Sequence, residues 1–281
     1  MCGNEALIVK GWLERLFVNQ KTGQQSFIRE NITISGKTID NIKKQWNYSV
    51  SVKTIDLSDQ NLASIDLSDL VKTNELENLI LENNSLTEID LSPIYSKATL
   101  RQVWVNSNNL SKINLECLSK STNLIVLALH QNSLSNINLS FIGGCENLQY
   151  FYCYENKIQT VEYERVYPKN LISFHLNKNL IQVIDLVFLK FASKLENLEL
   201  QENKILNLDL EPVSGCYNLK ILNLSENNIE EIDLSRLTHC TKLELLSLGS
   251  NRLNSVDTTG FKSHCSIKKL YFNKNKLHKL D

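Results

Sequence analysis

The chain has 281 residues, enough for one large domain or two smaller ones, and its 42% hydrophobic and 22% charged content is typical of a globular protein in water. Its 30 basic and 31 acidic residues leave a net charge of −1, which excludes a global positive field that would attract nucleic acid or an anionic membrane. No stretch approaches the roughly 20 apolar residues of a membrane span, and charged residues interrupt any signal-peptide core near the start.

Residues 1–51 do not share the periodic pattern that follows them. Apolar residues near the start recur at the spacing of one helix face: Leu7, Ile8, Trp12, Leu13, Leu16 and Phe17. A second short helix is predicted near Thr38 to Trp46. Because the first unit of a repeat stack must be shielded from water, we interpret residues 1–51 as an N-terminal helical cap.

One enzyme-like feature is the opening Met1-Cys2-Gly3. Glutamine amidotransferases of the N-terminal-nucleophile type begin in the same way, and removal of Met1 would expose Cys2 for a hydrolase reaction. The resemblance stops after three residues, and nothing downstream alternates long strands and helices as that fold requires. The sequence also has no Gly-rich phosphate loop, HExxH, GxSxG or CxxC motif. We therefore expect no catalytic residue, no cofactor and no metal.

From residue 52 the sequence repeats itself every 24 residues, with one step of 23. The units start at Val52, Leu76, Leu100, Leu124, Leu148, Leu171, Leu195, Leu219, Leu243 and Ile267. Apolar residues at unit positions 4 and 6 alternate with variable ones at 3, 5 and 7, which predicts a short strand with one buried face. One unit cannot bury its own leucines, so the units must stack with their strands in parallel.

Each unit follows the pattern LxxLxLxxNxLxxIDL, as in residues 219–234. In this pattern the chain resembles the leucine-rich repeat family over about residues 52–281, in about ten repeats of which the last is incomplete. The resemblance implies an α/β solenoid or horseshoe, with a parallel β-sheet on the concave face and short helical turns or loops on the convex face. It also implies a non-enzymatic protein-protein interaction module: a scaffold, adaptor or regulatory subunit. The alternative is a recognition domain of a larger protein whose effector portion lies beyond Asp281.

Two polar columns run through the units. Position 9 is asparagine at residues Asn84, Asn108, Asn132, Asn156, Asn179, Asn203, Asn227, Asn251 and Asn275. A stacked carboxamide can bond the neighbouring turn with both its donor and its acceptor, so these asparagines are predicted to be structural. Position 15 is often aspartate: Asp66, Asp90, Asp185, Asp209, Asp233, Asp257 and Asp281. We interpret these as caps of short helical turns, and calcium binding is the alternative.

Seven cysteines are present, and three of them, Cys145, Cys216 and Cys240, lie three residues before the next unit. This placement predicts small buried side chains, although neighbours Cys216 and Cys240 could be oxidised together. Reduced thiols indicate a reducing compartment, so a cytoplasmic location is expected.

Positions 3, 5 and 7 are expected to face the concave side, where units three to six gather aromatic residues. Trp and Tyr dominate interface energetics, because each buries a large area with few rotamers to fix. The predicted partner-binding residues are Trp104, Val126, His130, Tyr150, Tyr152, Tyr154, His175, Glu82 and Glu199. Their acidic surroundings, which also include Glu77, Glu155 and Glu202, favour a protein partner with a basic or mixed segment, without nucleic acid or membrane insertion. The alternative is that the aromatic rings only pack against one another.

Near the C-terminal end, Leu277 and Leu280 occupy core positions of the repeat, and the sequence stops one residue later with no helix or polar strand expected to cover them. We expect one of three situations: the chain is a fragment, it self-associates through this uncapped edge, or its last unit is frayed. Lysines also gather here: Lys262, Lys268, Lys269, Lys274, Lys276 and Lys279. They are interpreted as a solvated face, with phosphate or an acidic protein as the alternative ligand.

Overall fold

The computed structural model of the protein describes residues 15–18, 25–28, 30–95, 97–261 and 266–280. In chain order its strands are β1 (Arg15–Val18), β2 (Gln25–Ile28), β3 (Asn31–Thr38), β4 (Lys43–Ser49), β5 (Thr54–Asp56), β6 (Leu62–Asp66), β7 (Asn78–Ile80), β8 (Gln102–Trp104), β9 (Val126–Ala128), β10 (Asn136–Asn138), β11 (Tyr150–Tyr152), β12 (Thr160–Glu162), β13 (Ser173–His175), β14 (Asn197–Glu199), β15 (Ile221–Asn223), β16 (Leu245–Ser247), β17 (Ser255–Val256), β18 (Lys269–Tyr271) and β19 (Lys279–Leu280).

One strand from each unit joins a ten-stranded sheet in the order β5-β7-β8-β9-β11-β13-β14-β15-β16-β18. All neighbours in this sheet are parallel, and equivalent unit positions lie side by side, as in the row Ile80, Trp104 and Ala128. The residue at position 4 points inward, and Leu79 and Leu127 are completely buried there. The predicted leucine-rich-repeat solenoid is therefore confirmed.

The asparagine column ties each unit to the one before it. The side-chain oxygen of Asn156 accepts from the backbone N–H of Leu134, and its Nδ2 donates to the carbonyl of Leu129 in the preceding unit. The same two bonds recur at each of the other position-9 asparagines of the described chain, from Asn84 to Asn275. The structural role predicted for these side chains is confirmed.

The segments that return from one strand to the next contain short 3-10 turns. They are η1 (Ser68–Lys72), η2 (Ser92–Ile94), η3 (Glu116–Leu118), η4 (Ser140–Gly144), η5 (Val187–Leu189), η6 (Glu211–Val213), η7 (Leu234–Leu237) and η8 (Thr259–Phe261). A position-15 aspartate precedes six of these turns, and asparagine precedes η3 and η4. The aspartate carboxylate accepts from the backbone N–H two residues later, as Asp233 does from Ser235 at 3.0 Å. Asp66, Asp90, Asp185, Asp209 and Asp257 make the same bond. The capping interpretation is confirmed for these positions.

The N-terminal segment differs from the helices predicted there. Strands β3 and β4 form an antiparallel hairpin, and β3 also pairs antiparallel with β6. The helix predicted near Thr38 to Trp46 is wrong, because the apolar residues alternate: Ile32 and Ile34 are completely buried, and Trp46 and Tyr48 pack half-buried on the same core. Asn41, with φ of 62°, makes the turn between the two strands.

The helix predicted from Leu7 to Phe17 is also wrong at the residues of this segment that the structure describes. Leu16 and Phe17 lie in strand β1, which pairs antiparallel with β2. Leu7, Ile8, Trp12 and Leu13 lie outside the described residues. The division of the chain at residue 51 remains a prediction.

The cysteines that the structure describes are buried and free: Cys117, Cys145, Cys153, Cys216 and Cys240. Burial raises the pKa of Cys145 and of Cys216 to about 12, so both thiols stay protonated. They act as small core side chains, as predicted. Cys2 and Cys265 lie outside the described residues.

The asparagine column yields a stability prediction. Replacing Asn156 with alanine leaves the Leu134 N–H and the Leu129 and Cys153 carbonyls without their side-chain partner. We expect a loss of about 3 kcal/mol in the free energy of unfolding, because each unpaired buried polar group costs about 1–3 kcal/mol. Urea denaturation followed by circular dichroism measures it.

Asn136→Ala is the matched control, because this asparagine is exposed and its side chain bonds only to the Ser135 hydroxyl, at 3.5 Å, among the residues that the structure describes. It should change stability by less than about 0.5 kcal/mol. Equal losses in the two variants would contradict the role assigned to the column.

Candidate functional site

The sheet presents one face to the core and the other outward. We call the outward face, formed by positions 3, 5 and 7 of each unit, the open face. The predicted residues Trp104, Val126 and Tyr152 lie on the consecutive strands β8, β9 and β11 of this face. Each of them is half-buried. The structure thus places the predicted side chains on one surface, as the repeat pattern required.

Five of these side chains touch one another, and we call them the aromatic cluster: His130, Tyr150, Tyr152, Tyr154 and His175. His130 stacks on Tyr154 with ring centroids 4.4 Å apart, and the edge of His175 meets Tyr152 at 5.0 Å. Tyr150 lies 6.2 Å from Tyr152. The rings do pack on one another, as the alternative interpretation expects, yet each remains half-buried and keeps part of its surface outward.

Trp104 stands beside this cluster. Its indole N–H donates to Gln102 Oε1 at 3.0 Å, which fixes the plane of the ring. In the sheet, Ala128 lies between Trp104 and Tyr152, and the small Ala128 side chain is fully covered. Trp104 and Tyr152 therefore lie on either side of Ala128 on the open face.

The acidic residues around the cluster fall into two groups. Glu77 pairs with Lys53 and Arg101, and Glu155 pairs with Lys178 at 2.8 Å, so these two carboxylates are already neutralised by neighbours. Glu82 and Glu199 instead accept from amides, Asn106 Nδ2 at 3.2 Å and Gln201 Nε2 at 2.9 Å. Among the described residues, neither of them has a lysine or arginine partner.

The two histidines of the cluster are uncharged at neutral pH. Burial lowers the pKa of His130, an effect that Glu155 opposes and His175 reinforces. Burial also lowers the pKa of His175, against the attraction of Glu199, whose Oε1 is 3.9 Å from His175 Nε2. Neither imidazole supplies a positive charge to the open face at pH 7.

Several buried polar atoms of the open face have no hydrogen-bond partner in the described part of the chain. They are the side-chain oxygens of Asn78, Asn106, Asn177 and Gln201, with His130 Nδ1 and His175 Nε2. The oxygens can only accept, and a neutral imidazole nitrogen can accept as well. The sequence placed these residues on the face but gave no sign of their missing partners, because partner geometry depends on rotamers.

Cavities, metal-binding groups and membrane-spanning helices are the other features that could indicate a function in the described residues. Cavities of about 420 and 580 Å³ lie on the return segments, around Ile113 and away from the aromatic cluster. No group of three or more histidine, cysteine, aspartate or glutamate side chains is placed to hold a metal ion within the ranges described. In those same ranges, no helix is long and apolar enough to cross a membrane.

The lowered histidine pKa values predict how stability depends on pH. Below the unfolded pKa of about 6.5, the unfolded chain takes up protons that native His130 and His175 resist. Stability contributed by the neutral imidazoles is therefore complete above that pH and declines as pH falls through it. Urea unfolding at pH 7.5 and 5.5 should show a smaller decline in a His130→Gln, His175→Gln variant than in the wild type.

The control is His239→Gln, at an exposed position away from the open face. A double variant that keeps the full wild-type decline would show that the two imidazoles are not penalised by burial.

Two family profiles match the sequence. One, described as "Leucine rich repeat", covers residues 193–253, and the other, described as "BspA type Leucine rich repeat region (6 copies)", covers residues 37–165. No curated protein matches the chain.

Solved structures with a similar fold include a leucine-rich repeat protein of Leptospira interrogans, with a TM-score of 0.54 and 22% identity over 75% of this chain and 58% of that one. Another is the leucine-rich repeat ectodomain of the Arabidopsis thaliana membrane receptor kinase GASSHO1/SCHENGEN3, in complex with CASPARIAN STRIP INTEGRITY FACTOR 2. Its TM-score is 0.67, with 21% identity over 81% of this chain and 30% of that one. Repeat pattern, parallel sheet, asparagine column and family profiles agree: the chain is a leucine-rich repeat protein.

Proposed function

We propose that this protein is a non-enzymatic interaction module that binds a partner protein on its open face, centred on the aromatic cluster and Trp104. The observation that carries the proposal is the concentration of half-buried aromatic side chains on a face that the fold leaves free to vary. Leucine-rich repeat proteins are in general binding modules without enzymatic activity.

The aromatic residues suit the centre of an interface. Interface energy is concentrated in a few Trp, Tyr and Arg side chains, surrounded by residues that exclude water. Here Trp104 is held by Gln102, and the Tyr152 ring is braced by His175, so little side-chain entropy remains to be lost on binding. Val126 adds apolar surface between them.

Charge indicates the kind of partner. Glu82 and Glu199 have no cationic neighbour in the described chain, and the nearby histidines are neutral at pH 7. A partner with a basic segment would supply the missing positive charge, which favours orientation and the rate of association. This acidic character also opposes nucleic acid as the ligand.

Two further aspects of the proposal concern the cellular compartment and the size of the whole protein. Buried free thiols such as Cys153 and Cys216 fit a reducing, cytoplasmic environment. The chain spans 58% of the Leptospira protein and 30% of the receptor kinase ectodomain, so a role as the recognition part of a larger protein is the alternative.

At strand β18, Leu270 and Tyr271 are 40% and 44% exposed, which makes this sheet edge the candidate surface for self-association.

The test compares capture of proteins from the source cell by the wild type and by a Trp104→Ala, Tyr152→Ala variant. We expect the variant to lose the partner, with a drop in affinity of at least about 30-fold, because each hot-spot aromatic contributes about 1–2 kcal/mol or more. The matched control is Tyr95→Ala, Tyr217→Ala, which removes two tyrosines that are 53% and 57% exposed on the return segments.

Equal circular dichroism spectra and melting temperatures must first show that both variants fold. If the control loses the partner and the open-face variant retains it, the aromatic cluster serves packing only and the proposal is wrong. Size-exclusion chromatography of the wild type, with a Tyr271→Lys variant, tests the β18 edge separately.

A further inference from the structure

The polar side-chain atoms without hydrogen-bond partners lie in a strip of the open face, between two margins whose side chains bond to one another. On one margin, the position-2 side chains pair between units, as Lys53 and Arg101 do with Glu77. On the other margin, the position-8 side chains form a chain of bonds in which Gln131 and Lys178 both donate to Glu155, each at 2.8 Å. Positions 3 to 7 between these margins span about 13 Å at about 3.3 Å per residue. This width suits a single segment of polypeptide.

Within the strip the shortage is one of hydrogen-bond donors. One of the four unpaired oxygens, that of Asn78, is at position 3. The other three belong to Asn106, Asn177 and Gln201, which all occupy position 7 in different units. Their row crosses the strands and runs along the solenoid. Rotation about the soft terminal torsion of each amide can turn its oxygen toward an incoming N–H. An occupant that satisfies the row must bring several donors.

This shortage distinguishes an extended occupant from a helical one. A helix uses its backbone N–H groups internally, apart from those in its first turn. An extended segment keeps its backbone N–H groups free for a partner. The donor-poor strip therefore favours an extended segment that lies across the strands.

The two carboxylates that have no lysine or arginine partner in the described chain set the spacing of positive charge on such a segment. Glu82 lies two residues after the end of β7, and Glu199 is the last residue of β14. Five strand-to-strand steps separate these two strands in the sheet. At about 4.8 Å a step the separation is about 24 Å. An extended chain covers this distance in about seven residues, whereas a helix would need about sixteen.

We propose that the open face binds one extended segment of a partner protein that carries two cationic side chains about seven residues apart, one at Glu82 and one at Glu199. The inference rests on the proposed function and specifies its partner. The aromatic cluster and Trp104 contact the residues between the two cations.

The surroundings of Glu199 favour arginine at that end. Its Oε2 accepts from Gln201, while Oε1 faces His175 Nε2 at 3.9 Å without a donor between them. A planar guanidinium can donate to this oxygen and lie against the adjacent His175 ring, an arrangement that an ammonium group cannot reproduce.

The experiment uses the whole chain as bait for a displayed library of random 20-residue peptides. Peptides retained by the wild type and lost by the Trp104→Ala, Tyr152→Ala variant should be enriched in pairs of Arg or Lys about seven residues apart. One enriched peptide is then synthesised with a fluorescent label, and its affinity is measured by fluorescence anisotropy. Glu82→Gln and Glu199→Gln should each weaken binding about tenfold.

The control variants are Glu77→Gln and Glu155→Gln, which remove carboxylates that the chain already neutralises. They should change the affinity less than twofold. A peptide that lacks one cation should become insensitive to one of the two active variants and remain sensitive to the other, which assigns each cation to its carboxylate. Replacing the peptide's arginine that contacts Glu199 with lysine should weaken binding.

Several outcomes overturn this inference without touching the proposed function. These are enriched peptides without paired cations, cation pairs about sixteen residues apart, and equal effects of the active and control variants. A wild type that retains no peptide also overturns the extended occupant. The proposed function is decided separately by capture of a folded partner, with its own dependence on Trp104 and Tyr152.

Discussion

The carboxamide at position 9 is the interaction on which the rest of the architecture depends. The side-chain oxygen of each described asparagine in the column accepts from a backbone N–H of the preceding unit, and its Nδ2 donates to the carbonyl at the end of that unit's strand. Asn156 does so with Leu134 and Leu129. The bond pair fixes the offset between neighbouring units, and the strands consequently lie in exact register with equivalent positions side by side. The residue just before each asparagine of the column adopts a positive φ, for example 55° at Glu226. This conformation turns the chain out of the strand and brings the carboxamide inward. The regularity of the sheet follows from this local geometry as well as from leucine burial.

A scaffold held together in this way separates stability from recognition. Leucine, phenylalanine and asparagine satisfy the core and the turns, so side chains at positions 3, 5 and 7 can change without disturbing either. In the fifth and sixth units the aromatic character extends to both sides of the sheet: Phe151 and Phe174 stack at 5.2 Å in the core beneath Tyr152 and His175. The fifth unit is a residue shorter than its neighbours, and the sheet passes through it without interruption. The cluster therefore stands on a rigid base.

The repeat period predicted the fold because a single pattern, seen ten times, averages out local ambiguity. The asparagine and aspartate columns could also be interpreted from their residue types, since their bonds are local to the turn. The N-terminal segment has no such redundancy: the alternation of Ile32 and Ile34 with polar residues extends over too few positions to outweigh the helical spacing of other apolar residues there. For the open face, the pattern correctly grouped Trp104 with Tyr152, but it could not distinguish Glu155, which Lys178 neutralises, from Glu199, which has no cationic partner in the described chain. Pairing between side chains of adjacent units depends on rotamers and long-range register, which a single unit does not encode.

Burial of the histidines and the charge of the face are two aspects of one arrangement. A solvated imidazole at position 5 would be partly protonated near neutral pH and would form an ion pair with a carboxylate at 3.9 Å. The Tyr152 and Tyr154 rings remove His175 from water, and desolvation lowers its pKa more than Glu199 raises it. The imidazole then contributes a flat, neutral surface that braces Tyr152, while the Glu199 carboxylate keeps its charge uncompensated within the chain. Aromatic packing, which alone would be an argument for a purely structural cluster, is thus the same interaction that preserves an acidic site for a cationic partner.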